Sequence, residues 1–186
     1  MKSVWRILQW FLVAWGLACL FAAVALGGFV LYCVGMRNVA RVDSADKEDV
    51  AFVLTSCALG HRQIKDVVHS YQSARSLTGD HLDAYAVRVS RLDPADLTGG
   101  LTEEMFESGW FRCDQVDGVL RDAIDFAIAF SHRNAISWFP REEELRSDEM
   151  YVYPVSIHCR GTRPRAVVLA FLRPRDKMIY YMSAKV

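Results

Sequence analysis

The sequence predicts an α+β protein: one N-terminal transmembrane helix, then a small domain of helices packed on a four-stranded antiparallel sheet that ends in a three-stranded meander. Three observations predict it. Residues 7–36 contain no charged side chain. Residues 115–131 repeat apolar side chains at helical spacing. After residue 150, three β-rich runs are divided by short turns containing Gly and Pro.

Residues 1–6 form a short tail carrying Lys2 and Arg6. A helix over 7–36 would be about 45 Å long at ~1.5 Å per residue, and about 20 residues suffice for the hydrocarbon core. Trp5 and Trp10 near one end and Tyr32 near the other suit the two interfaces. A cleaved signal peptide is the competing reading, with Ala23-Val24-Ala25 as its small-x-small site. The apolar run continues past Ala25, which favours an uncleaved anchor. Cys19 follows Gly-Leu-Ala, which lacks the aliphatic residue that precedes a lipidated cysteine.

Positive charges flank the span almost equally: Lys2 and Arg6 before it, Arg37, Arg41 and Lys47 after it. The short tail and long C-terminal part suit a signal anchor with its domain exported. Arg outnumbers Lys 17 to 5, a habit of GC-rich bacterial genomes, so the expected location is a bacterial inner membrane. Ala14, Ala18 and Ala22 recur at four-residue spacing, which would let two spans pack as a homodimer.

Residues 37–45 read as a polar linker and 46–186 as the domain. All 22 acidic residues lie at Asp43 or later, against 18 of the 22 basic ones beyond that point, a net charge of −4. That balance argues against nucleic acid as a partner. Ser44 or Asp46 caps a first helix through Val50, Val53, Leu54, Cys57 and Ala58, with Gly60 as its stop. Ile64, Val67, Val68 and Tyr71 (i, i+3, i+4, i+7) predict a second helix ending at Gly79. Residues 82–92 alternate as a strand, broken by Asp93-Pro94. A loop over 95–101 and a short helix from Thr102 to Ser108 follow. Asp114 caps the principal helix, 115–131. Its broad stripe of Val116, Val119, Leu120, Ala123, Ala127 and Phe130, widened by Ile124 and Ile128, predicts burial. Pro140 starts a turn of helix over Glu142–Glu144. Tyr151–Cys159, Arg165–Leu172 and Met178–Ala184 are then the meander, which packs with the 82–92 strand against helices on one face.

The most polar cluster runs from His61 to His69. On a helix, Arg62, Asp66, His69 and Ser73 share one stripe and form the candidate binding site; otherwise the stripe is a solvated face with an Arg62–Asp66 pair. His61 and His69 are too far apart along a helix to share a metal. No P-loop, GxGxxG, GxSxG, HExxH or EF-hand pattern occurs, so no cofactor or metal is expected. Cys57, Cys113 and Cys159 are expected to be buried free thiols, one disulfide among them being the alternative. Arg160, Arg163 and Arg165 gather at one hairpin turn, Arg173 and Arg175 at the next. Either group could reach lipid headgroups or an acidic partner, or simply blunt an exposed turn.

Three functions fit. The leading expectation is a membrane-anchored accessory protein, of assembly-factor, inhibitor, immunity or sensor type, whose extracytoplasmic domain binds another protein. The alternative is a small-molecule or peptide pocket between helix 115–131 and the sheet, lined by Trp110, Trp138, Tyr151 and Tyr180. The third is an enzyme using the His61–His81 region, with Asp66, His69 and His81 converging.

Overall fold

The computed structural model describes residues 2–37, 39–76, 78–97 and 109–186. The expected helix from Thr102 to Ser108 and the Gly99-Gly100 loop lie outside them. The chain divides into two units, Met1–Val39 and Ala40–Val186.

The first unit is one helix, α1 (Lys2–Arg37, 36 residues). The charged tail is itself helical, because nothing between Lys2 and Ile7 breaks a helix. Within α1, Gln9–Tyr32 (24 residues) is long and apolar enough to cross a membrane, about 36 Å at the helical rise. Its large apolar side chains, Trp10, Phe21 and Leu31 among them, are exposed. The helix is compatible with a single-pass anchor.

The second unit runs β1 (Arg41–Val42), α2 (Ala51–Ser56), β2 (Ile64–Gln72), β3 (His81–Val89), a 3-10 turn (Pro94–Leu97), β4 (Phe111–Arg112), α3 (Gly118–Arg133), α4 (Glu142–Leu145), β5 (Tyr151–Arg160), β6 (Arg163–Arg173) and β7 (Met178–Lys185). The sheet has seven strands in the order β1-β2-β3-β7-β6-β5-β4, and every pairing is antiparallel. The meander β5-β6-β7 and its β3 neighbour are as expected. β2, the short β1 and the short β4 extend the four-stranded sheet to seven.

The predicted second helix is therefore a strand, and two β-bulges explain the misreading. Register shifts occur between Ile64 and Asp66 and between Val67 and His69. Each inserts an extra residue, which resets the period-2 alternation of a strand. Ile64 and Val67 consequently join one face of the sheet, and Val68 and Tyr71 the other. Two-sided burial interrupted by bulges spaces apolar residues as a helix would.

Helices cover both faces rather than one. On the first face, Ala123, Ile124, Ala127 and Ile128 of α3 pack with Leu82, Ala84, Leu169, Phe171, Tyr180 and Met182. On the second, Val50, Val53, Leu54 and Cys57 around α2 pack with Tyr85, Val87, Leu172 and Ile179. α3 starts at Gly118, later than expected. Asp114 does not cap it but accepts both arms of Arg112, at 3.1 and 2.8 Å. Val119, placed on the buried stripe from sequence, is 51% exposed. The buried stripe begins one turn later, because the chain reaches the core through Val116 before the helix opens.

α2 ends in a left-handed residue, but this is Ala58 (φ 61) and not Gly60. The Leu59 N–H donates to the Leu54 carbonyl (2.8 Å) and the Ala58 N–H to that of Thr55 (3.4 Å), the paired bonds of a Schellman stop.

Candidate functional site

The structure does not bring Arg62, Asp66, His69 and Ser73 together. Arg62 lies before β2 and forks onto Asp96, Nε to Oδ2 at 3.0 Å and Nη2 to Oδ1 at 2.9 Å. Asp66 sits 3.7 Å from Arg88 on the neighbouring strand, so the Arg62–Asp66 pair does not form. His69 stacks on Trp138, ring centroids 5.3 Å apart and planes 16° from parallel, with Nδ1 3.5 Å from Asp43. The Ser73 Oγ accepts the Leu82 N–H at 2.8 Å. Each residue serves a different local contact.

The Asp96 clamp has a clear electrostatic reading. Its side chain is 6% exposed. It also accepts the Asp93 N–H at 2.8 Å and lies 3.0 Å from His61 Nε2. Burial pushes its carboxyl up, but the Arg62 fork, the Asp93 N–H and His61 outweigh that and hold it below the usual carboxylate range. The cluster ties the 3-10 turn to the approach of β2.

Nor do Asp66, His69 and His81 converge. His69 lies opposite Ala86, five positions along β3 from His81, roughly 17 Å at the rise of a strand. The residues expected to line one pocket are also divided. Trp110 and Tyr151 lie on the α2 face, Trp138 and Tyr180 on the α3 face.

Two places remain with usable geometry. The first is an open cleft of about 460 Å³ at the C-terminal end of α3, lined by Ser131, His132, Ala135, Ile136, Ser137, Phe139, Arg141, Glu142 and Glu143. Its walls carry charges of both signs and the carbonyl end of a helix, which carries partial negative charge. Beside it, Trp138 bears the His69 stack, and Asn134 Oδ1 accepts the Tyr71 hydroxyl at 3.4 Å. Asp43 reaches the same neighbourhood through His69 and also accepts the Ser70 N–H at 3.0 Å.

The second is on the α2 face, where α2 is too short to cover the whole sheet. His81 Nδ1 lies 3.0 Å from the Gly79 carbonyl and Nε2 lies 3.1 Å from Ser183 Oγ. A carbonyl only accepts, so Nδ1 carries a proton; in the neutral ring, Nε2 then accepts from the Ser183 hydroxyl. Asp83, opposite Ser183 in the register, takes Arg75 on Oδ2 at 2.7 Å. Its buried Oδ1 has no hydrogen-bond partner among the described residues. Nothing local in the sequence signals this contact, because the two residues are 102 positions apart.

Cys57 and Cys113 are buried free thiols, each pushed up to about 12 by burial, which makes them inert. Cys159 is free but exposed, correcting the expectation that it is buried. Among the described residues no group of three His, Cys, Asp or Glu is placed to hold a metal. Comparisons with protein-family models, curated proteins and solved structures find no match for this chain.

Proposed function

We propose that this chain is a membrane-anchored accessory protein, held by Gln9–Tyr32, whose α+β domain lies outside the cytoplasm and binds another protein. The observation that carries the reading is the contrast between a filled interior and an open cleft. Small Ala123 and Ala127 bring α3 close to the sheet and are fully buried there, which leaves the space between them to side chains. The concavity opens instead at the end of α3, with a rim of mixed charge. An open, two-signed cleft suits the side chains of a protein surface better than an enclosed small ligand.

The deciding experiment is a photo-crosslinking residue at Ser137 in cells. It should give one discrete adduct, and the same residue at Val119, exposed earlier on α3, should not. Equal adducts, or none, would remove the cleft from consideration. The anchor is tested by alkaline carbonate washing, which should leave the intact chain in the pellet; a soluble product starting near Leu26 would overturn it. A C-terminal alkaline phosphatase fusion should be active, and an inactive one alongside a fluorescent cytoplasmic reporter would reverse the orientation.

The Ser183–His81 contact favours a second reading, an acyl-transfer site. A hydroxyl on a base that a third group orients has the arrangement of an activated nucleophile. A fluorophosphonate should then label Ser183 and lose the label in His81→Ala. A folded, unlabelled protein would remove this reading.

A further inference from the structure

The register places five cations at one end of the sheet. Arg41 opens β1 opposite Gln72, the last residue of β2. Lys185 ends β7 opposite His81 at the start of β3 and opposite Ala166 on β6. The β5–β6 turn, where Arg160 pairs with Arg163, closes the same end with Arg165 just beyond it. All five side chains are exposed. None of Arg41, Arg160, Arg163, Arg165 and Lys185 makes an ion pair among the described residues, although the domain holds an excess of acid.

Two further observations mark this end. Val42 and Val186 are 59% and 40% exposed, so half of the large apolar side chains exposed on the domain's described residues, Phe52 and Val119 being the others, lie here. The chain also enters the domain here, since Arg41 opens the first strand a few residues after α1 closes at Arg37.

We propose that this end of the sheet docks on anionic phospholipid headgroups. The inference rests on the anchored reading above and adds the surface by which the domain meets its bilayer. Unpaired arginines and a lysine supply the attraction, each worth a several-fold gain in binding near an anionic surface. Exposed valines beside them supply apolar contact at headgroup depth. A soluble acidic protein would also satisfy the charge, but it gives no reason for the valines or for the place where the chain enters.

The experiment uses the full chain reconstituted in vesicles of phosphatidylcholine alone or mixed equally with phosphatidylglycerol. Amide hydrogen exchange is followed in the turn between Arg160 and Arg165. Exchange there should slow several-fold in the anionic vesicles only, and the protection should disappear in high salt. The double variant Arg163→Glu/Arg165→Glu should abolish it. The variant Arg91→Glu, at the opposite end of the sheet, should keep it. Equal exchange in both vesicles would overturn the proposal, as would protection that survives salt and the double reversal. Failure of the anchor would be seen separately, as chain released from the vesicles by carbonate. Turn protection on adding anionic vesicles to that released chain would keep the docking surface while removing the span.

Discussion

The two ends of the sheet use the same side chains for different ends. Around the β6–β7 turn and the approach to β2, arginines are paired almost one by one: Arg62 with Asp96, Arg88 with Asp66, Arg112 with Asp114, Arg173 with Asp176 and Glu144, Arg175 with Glu149. At the β5–β6 turn, Arg160, Arg163 and Arg165 have no such partners among the described residues. Composition alone cannot separate the two groups, because both are arginines at or near the ends of strands. The difference lies in what the register sets beside them. Carboxylates from loops and from α4 meet the arginines of one end; at the other, Asp83 is taken by Arg75, and exposed Val42 and Val186 stand beside Arg41 and Lys185. Arginine as a structural clamp needs a partner in place, whereas arginine as a docking group needs the partner to be absent.

The largest effect should follow from removing one clamp. Arg173 is 16% exposed at its side chain. Its guanidinium reaches Asp176 and Glu144, both at 2.8–2.9 Å, and the Tyr180 hydroxyl, with its carbon 5.2 Å from the Tyr180 ring centre. Arg173→Ala leaves two carboxylates and the buried Tyr180 without that donor, and should cost roughly 2–3 kcal/mol. Arg163→Ala should change stability by within about 0.5 kcal/mol, as exposed substitutions usually do. Urea unfolding of both variants measures the contrast, and equal losses would break it.

The paired end should also be the acid-sensitive one. Asp96 has its folded pKa held below the unfolded value, so its contribution is fully present above about pH 4 and is lost as pH falls through the folded value. In Asp96→Asn, stability at neutral pH should drop and its decline below pH 4 should be shallower than in the parent. A parallel decline would mean that other carboxylates set the acid limit.

What was legible in the sequence follows the same division between local and non-local causes. α3 buries Ala123 and Ala127 at helical spacing, and the meander strands, buried on both faces, stand out as β-rich runs between Gly and Pro turns. β2 does not, because its two bulges spread Ile64, Val67, Val68 and Tyr71 over both faces at a spacing that imitates a helix. With that helix gone, the stripe of Arg62, Asp66, His69 and Ser73 loses its geometry. The contacts that replace it depend on register between distant segments: Asp96 lies 34 residues from Arg62, and Trp138 reaches His69 from beyond α3. The β5–β6 arginines were visible as a cluster. That Arg41 and Lys185 share their end of the sheet was not, since only the strand order β1-β2-β3-β7-β6-β5 brings them there.

The smallest effect tests how firmly the paired end is fastened. Ala58 holds φ 61, a left-handed conformation that costs a non-glycine residue about 1–2 kcal/mol. The chain accepts this because the Leu59 N–H closes on Leu54 and the Arg62–Asp96 clamp fixes the path a few residues on. Glycine relieves the strain but makes the unfolded chain more flexible, which takes back about 0.4–1 kcal/mol. Ala58→Gly should therefore stabilise by about 0.5–1 kcal/mol in urea unfolding. Gly60, the stop that the sequence suggested, has no positive φ, and an added Cβ there would meet Thr55 at ordinary contact distances of 3.4–3.9 Å. Gly60→Ala should accordingly be neutral or slightly stabilising. If instead Gly60→Ala destabilised and Ala58→Gly did nothing, the helix would end where the glycine stands, and the strain would not belong to this end of the sheet.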